Sequence, residues 1–515
     1  MLHTSIIVEL LRSQPRLTFW VATLAQAALW WAVPSLFYSS PPGDLPLVLA
    51  VGHEFQLGSS FGPPLAFWVA EVAFDVAGAA DVYLVAQACI VFSYYGVFTL
   101  ARAIVGTHHA TFAILLMVGI FSFTAPTPNF GPAILAMPFT VFAIVNLWRA
   151  VGERRRSAWF LLALQLGLLL LTTYAGLVLV FMILVFLITT RRGRRALRSA
   201  DPWLAGIMVV VVLFPHLIWL DLAGGRFPLE FNPATGADAT RAYLADFFGI
   251  VETLFLTHAG LVVLVVLGSK WHFRSEEKVP VFVRSFTDPF GRRFVYFFAV
   301  APALTAAVVA VLSGERQTGG NFAPYLTLSG LAIVVLAGNS IPWHRPRLVA
   351  LAWSLFLLVP PLGAAALIVI LPWLGVAGID VGRPASAMGQ FFAENFERRT
   401  AAPFAIVAGD PRLAALVALG APPRPSLYLD ATPERTPWVT GDDIRRKGVV
   451  VVWLNPDTRG VVPADIAARF PGLVPEVPRA FARMVQGRLP LLRLGWAVVR
   501  PEADAPKSPP VAAKP

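Results

Sequence analysis

LLALQLGLLLLTTYAGLVLVFMILVFLI, from Leu161 to Ile188, holds no Asp, Glu, Lys, Arg or His. A bilayer crossing takes about 20 mostly apolar residues. With its flanks the stretch reads as two spans, near 157–175 and 176–190. Leu204–Trp219 is a block of the same kind. The chain of 515 residues is 57% hydrophobic and 14% charged, whereas soluble domains run at about 45–50% and about 25%. The excess lies in such blocks, so a soluble reading is excluded and the fold class is a polytopic α-helical membrane protein.

Outward from that block, spans are expected near 17–38, 82–105, 110–125, 131–149, 203–223, 247–269, 293–313, 322–341 and 347–377, about eleven in all. The last carries Pro360–Pro361, which is expected to kink or split it. Met1–Phe19 lacks a small-x-small cleavage site, so the first apolar segment reads as a retained span and not a signal peptide. The single cysteine, Cys89, lies in a predicted span, which excludes an intramolecular disulfide and a cysteine-ligated metal site.

The net charge of +11 follows the positive-inside rule. Arg154–Arg156, Arg191–Arg198, Lys270–Arg293 and His344–Arg347 fall between alternate pairs of spans and read as cytoplasmic. The loops Asp44–Asp81, Pro126–Asn129, Asp221–Asp246 and Glu315–Asn321 then face outward. An odd span count places the N-terminus in the cytoplasm and the C-terminal region outside. Arginines at helix ends, and not on one interleaved face, argue against nucleic acid. His108-His109 has no partner ligands, and no Walker or dinucleotide motif is present. Asp442-Asp443 reads as a helix N-terminus.

From about Gly378 the pattern changes. After a linker around Pro384, short β-like runs at Phe404–Ala408, Ser426–Leu429, Val449–Leu454 and Ala497–Val499 alternate with helix-like Pro411–Leu419 and Pro463–Phe470. The expected organisation is a membrane region over 1–378 with an amphipathic outer loop over 39–81, a small α/β domain over 379–501, and a disordered Ala/Pro/Lys tail over 502–515.

The first outer loop carries the functional signal: Pro41-Pro42-Gly43-Asp44-Leu45-Pro46, Gly52-His53-Glu54-Phe55-Gln56-Leu57-Gly58, then Phe61-Gly62-Pro63-Pro64-Leu65. Leu47, Val48, Val51 and Phe55 share a helical face, so a short amphipathic helix is expected on the outer membrane surface. Asp44 fits two roles, general base for a hydroxyl acceptor at headgroup level or N-cap of that helix. Glu54, about 80° round an ideal helix from Asp44, is either a second acid or part of a solvated face.

This loop resembles that of the GT-C superfamily of membrane glycosyltransferases, in particular the family 39-type and aminoarabinose-transferase-like proteins. Their loop runs from an acid, through Gly-x-Glu-aromatic-Gln-aromatic-Gly, to His-Pro-Pro-Leu. Asp44, Gly52, Glu54, Phe55, Gln56, Gly58, Pro63, Pro64 and Leu65 follow that order. Thr173-Tyr174 with Gly176, and Phe214-Pro215-His216-Leu217-Ile218-Trp219, add to it. The resemblance implies a hexosyl- or pentosyltransferase of a bacterial inner membrane. It would take sugar from a polyprenyl-phosphate donor, with inversion, to an envelope glycan such as lipopolysaccharide, a lipid or a protein. It also implies Asp44 as catalytic base; Glu54 is the second candidate acid, and His53, Gln56, Pro63, Pro64, Tyr174, His216, Arg316 and Asn321 are the candidate substrate-binding set. No cofactor is expected beyond the lipid-linked sugar as co-substrate; the loop lacks a clear acidic pair for a metal, and the sequence leaves metal dependence open.

The family's His before Pro-Pro is Gly62 here, the Lys before the tyrosine is Thr173, a later His-aromatic pair is Asn321-Phe322, and a second acid is Leu47. His53, Arg226, Arg241 and Arg316 are the outward basic residues that could replace the missing phosphate ligands. These departures leave a second reading, a degenerate relative acting as scaffold, or a lipid-sugar transporter. A transporter would carry ionisable residues deep in its spans; here most spans are nearly free of them.

Overall fold

The computed structural model describes residues 2–222, 239–269, 280–284, 286–313, 319–376, 380–429, 436–455 and 461–502. Two compact units emerge, Met1–Phe37 with Phe61–Ala366, and Tyr38–Ser60 with Leu367–Pro515. This division differs from the one expected from the sequence, because residues 38–60 belong with the C-terminal region.

The first unit is helical. Each expected span forms helix, but not each is long enough to cross. Among the described residues six helices qualify by length and composition: Pro15–Phe37, Ala79–Val105, Pro132–Gly152, Asp201–Leu222, Pro289–Ser313 and Pro346–Leu374. Two bent pairs, Gly176–Thr189 with Arg191–Leu197 (102°) and Ala239–Thr257 with Ala259–Gly268 (48°), raise the number to eight at most. The expectation of about eleven is corrected accordingly. The segments near 110–125, 157–175 and 322–341 contain only Thr107–Met117, Ser157–Thr172 and Ser329–Leu336 as α-helix. Apolar composition continues through turns that end a helix. Ser157–Thr172, with 16 residues, is about 24 Å long at 1.5 Å per residue, short of a hydrocarbon core of about 30 Å. Pro360 and Pro361 do not split their helix, which is continuous from Pro346 to Ile370.

Small residues let the helices of this unit approach closely. Leu261 N donates to Gly119 O at 2.9 Å, and a Cβ on Gly260 would lie 2.6 Å from that same oxygen. Only glycine fits such a crossing. At the helix ends Arg156 holds Asp201 with two hydrogen bonds (2.8 and 3.0 Å), and a ribbon of β1 (Val281–Val283) and β2 (Ser340–Pro342) pairs antiparallel. Phe282 of β1 clusters with Leu11 and Trp343.

The second unit is built on a mixed sheet of β3 (Ile406–Gly409), β4 (Ser426–Tyr428), β5 (Val449–Leu454), β6 (Arg479–Phe481) and β7 (Leu492–Val499), in the order β4-β3-β5-β7-β6. β3 is parallel to β4 and β5, whereas β7 runs antiparallel to β5 and β6. The parallel part needs crossovers, and the helices Pro411–Gly420 and Gly441–Lys447 lie in them. Val449-Val450-Val451-Val452-Trp453 is apolar without a break because the sheet is covered on both faces. Val450 and Val452 join a cluster with Phe392, Phe396 and Trp496, while Val449, Val451 and Trp453 join Tyr428 and Ile466 on the other. The α/β region expected beyond Gly378 is present, with β6 as an added edge strand. The tail expected over 502–515 lies, apart from Glu502, outside the described residues.

Candidate active site

The loop after the first span begins with Ser39 and Ser40, whose amides both donate to Val381 O at 3.0 Å. Gly43 takes a φ of +56°, and Leu45 N closes a turn on Pro42 O (3.2 Å). The helix Leu45–Gly52 then starts with proline in its first turn, where a missing amide costs nothing. Asp44 occupies the N-cap position and its carbonyl accepts from Val48 N at 3.0 Å. Its side chain, however, makes no capping hydrogen bond. Instead Arg412 Nη2 donates to Asp44 Oδ1 at 3.0 Å, with both side chains about three-fifths exposed (62% and 60%).

The helix is not spread on a surface. Leu45, Val48, Leu49, Ala50 and Val51 are all buried, and the helix packs on Pro411–Gly420 and β4. Ala50 belongs to the sheet's cluster with Leu413 and Leu416, and Leu47 packs against it. The membrane-surface helix expected from the spacing of Leu47, Val48, Val51 and Phe55 is corrected. An eight-residue helix apolar on nearly every side has no polar face to turn to water. Phe55 lies beyond the helix end with a φ of +46° and is half exposed (50%).

Glu54 also follows the helix end, so the angle drawn for it on a continuous helix does not apply. It is half-buried, and Oε1 has no hydrogen-bond partner among the described residues. Burial raises its carboxyl above the ordinary value; a hydrogen bond with Ser426 and the charges of His53, Lys447 and Arg424 pull it part of the way back. Arg424 also reaches Leu49 O with Nη2 at 3.3 Å. Gln56 Nε2 donates to Glu54 O (3.3 Å), and His53 is the exposed C-cap residue.

The other predicted site residues belong to the first unit. Pro63 and Pro64 are buried at the start of the helix Leu65–Ala77, with Pro64 as its N-cap. Gly62, which stands where the family has His, adopts a φ of +131°, a conformation that side chains disfavour. Tyr174 and His216 come from two separate motifs, and the structure brings them together. Tyr174 Oη and His216 Nε2 lie 2.8 Å apart, and the buried His216 ring stacks on Trp219 (5.7 Å, 10°). Tyr325 Oη donates to Ala175 O at 2.7 Å beside this pair. Asn321 lies in the 3-10 turn Gly319–Leu326, but its side chain is outside the described residues, as are Arg316 and Arg226. Arg241 is exposed on the helix Ala239–Thr257.

Arg412, Arg424, Ser426 and Tyr325 were not foreseen as part of these constellations. Asp410-Pro411 does announce the helix that carries Arg412, since Asp410 Oδ1 caps Leu413 N at 2.9 Å. What that helix faces is not written locally.

Residues 62–219 match the model of a family described as dolichyl-phosphate-mannose-protein mannosyltransferase. The match bears out the resemblance to membrane glycosyltransferases that use a lipid-phosphate sugar donor; it takes in Pro63-Pro64, Tyr174 and His216, and not Asp44 or Glu54. The structure is similar to the crystal structure of ArnT from Cupriavidus metallidurans bound to undecaprenyl phosphate, at 13% identity and a TM-score of 0.58, over 93% of this chain and 97% of that one. The two share a fold. The apo oligosaccharyltransferase of Archaeoglobus fulgidus is more distant (14% identity, 79% of this chain and 64% of that one, TM-score 0.41). No curated protein matches the sequence.

Proposed function

We propose that the protein transfers a hexosyl or pentosyl group from a polyprenyl-phosphate donor to an envelope glycan, lipid or protein acceptor on the outer face of a bacterial plasma membrane. The observation that carries this reading is the family match over residues 62–219. It is supported by a fold shared with a protein whose crystal structure holds undecaprenyl phosphate. The alternation of basic loops along the sequence argues for an outer position of the C-terminal α/β unit.

Asp44 is the base in this reading. The acceptor oxygen attacks the anomeric carbon from the face opposite the phosphate, its proton passes to the Asp44 carboxylate, and the bond between the anomeric carbon and the phosphate oxygen breaks with inversion. Polyprenyl phosphate leaves with the bonding electron pair. Tyr174 and His216 form a half-buried polar pair suited to a sugar hydroxyl or phosphate oxygen. Glu54 is second to Asp44 for the base: its carboxyl is raised by burial and surrounded by groups of its own unit.

The test compares envelope glycolipids by mass spectrometry in cells lacking the protein, complemented with wild type or with Asp44→Asn. Asparagine keeps the shape and capping ability of the position but accepts no proton. Loss of a general base costs about 10²–10⁴-fold in rate, whereas loss of a cap costs about 0.5–2 kcal/mol of stability. Glycan modification should collapse in Asp44→Asn while the protein inserts and melts as before. Near-normal modification would remove Asp44 from the role and make Glu54 the acid to test.

A further inference from the structure

We infer that Arg412 is a positioning residue for Asp44, delivered to it by the C-terminal α/β unit. The inference rests on the reading of Asp44 as the base.

A base must stand within about 2.6–3.2 Å of the proton it takes, so its rotamer matters as much as its identity. The N-cap position does not fix that rotamer here, because the Asp44 side chain makes no capping bond to its own helix. The carboxylate is held instead by Arg412 Nη2, at 3.0 Å. Both partners are anchored. Arg412 sits in the first turn of Pro411–Gly420, a helix set by Pro411 and by the Asp410 cap. Asp44 leads a helix packed on that same helix, whose far turn is held by Arg424 on Leu49 O. The guanidinium and the carboxylate are therefore brought into register by two packed backbones and not by chance encounter of two long side chains.

The pair is too exposed to be a stability device. An ion pair at such a site contributes little or nothing measurable to stability. Its effect is on orientation, and a misplacement of the order of 1 Å can cost about 10²-fold in a reaction that depends on alignment. The contact uses one nitrogen and one oxygen, not the two-pronged geometry that only arginine supplies, so a lysine ammonium can take its place.

The experiment uses full-length protein in lipid nanodiscs. The donor is the polyprenyl-phosphate-sugar fraction extracted from the native membranes, and the acceptor is membrane from cells lacking the protein. Arg412→Ala should lower the maximal transfer rate about tenfold and change the half-saturating donor concentration less than about twofold, because Arg412 acts on the base and not on the donor. Arg412→Lys should recover most of the rate. In the Asp44→Asn background, Arg412→Ala should cost nothing further, the signature of two residues acting as one unit. The inference is overturned if Arg412→Ala raises the half-saturating donor concentration at an unchanged maximal rate, since Arg412 would then hold the donor. It is also overturned if the losses in the double variant multiply, or if Arg412→Lys is as slow as Arg412→Ala. Near-normal transfer by Asp44→Asn alone would instead refute the assignment of the base, a result separate from all of these.

Discussion

Ala50→Leu distinguishes a loop helix packed in a protein core from one spread on lipid. Ala50 is 4% exposed and shares a buried cluster with Leu413, Leu416 and Phe392. Three added carbons there have no space to enter, and overpacking a well-filled core costs about 1–3 kcal/mol. For a unit the size of Tyr38–Ser60 with Leu367–Pro515, each kcal/mol shifts Tm by about 2–4 °C. A drop of about 2–12 °C is therefore expected, with faster amide exchange in the strands Ile406–Gly409 and Val449–Leu454. The assays are thermal unfolding in detergent and hydrogen exchange read by mass spectrometry, with Phe55→Ala, half exposed, as the near-neutral control. A helix lying on lipid would respond with the opposite sign, because a larger apolar side chain binds the interface better. An unchanged or raised Tm, with exchange in the sheet unaltered, would refute the packing argued for this loop.

Three further outcomes follow from the same geometry. Tyr174→Phe removes the hydroxyl 2.8 Å from His216 and deprives a buried ring nitrogen of that bond, so a loss of about 1–3 kcal/mol is expected by thermal unfolding; an unchanged melt would mean the bond contributes nothing. Asp443 is held down to about 2 by the Thr440 hydroxyl and amide, within the capping box of Gly441–Lys447. A carboxyl depressed in the folded state stabilises it above the ordinary value of 3.8 and loses that contribution as pH falls through about 2. Carboxyl NMR should find Asp443 titrating near 2 in the wild type and back toward 3.8 in Thr440→Ala, and titration near 4 in the intact protein would contradict the cap. Finally, a reporter that works only after export, fused behind Pro501, should be active, and one that works only in the cytoplasm should not; the reverse would place the C-terminal unit on the cytoplasmic side.

The membrane class was legible because apolar blocks of about twenty residues are seldom compatible with a water-exposed fold. The β5 run Val449–Leu454 and the capped helix after Asp410-Pro411 were legible because their signals are local. The edge strand Arg479–Phe481 was not, since three residues with one buried side chain carry no periodicity. Span number was overread where apolar residues continue through a turn, as at Thr173-Tyr174. In the candidate site, Tyr174 and His216 were each visible as motif residues, but their 2.8 Å approach is a product of helix packing. The loop helix was read correctly as a helix and wrongly as a surface one. Leu45 to Val51 shows how apolar the segment is, but not what covers it.

The distance in sequence between Asp44 and Arg412, 368 residues, has a consequence for biogenesis. A ribosome adding about 5–20 residues per second reaches Arg412 roughly 20–70 s after Asp44. Throughout that interval the loop has been threaded into place behind the first span while the helix that will cover it is not yet made. Such a discontinuous unit closes late, after the intervening spans are inserted, and its non-local contacts make that closure a slow step. The acid proposed as the base is among the first residues of the protein to be synthesised and among the last to be set in position.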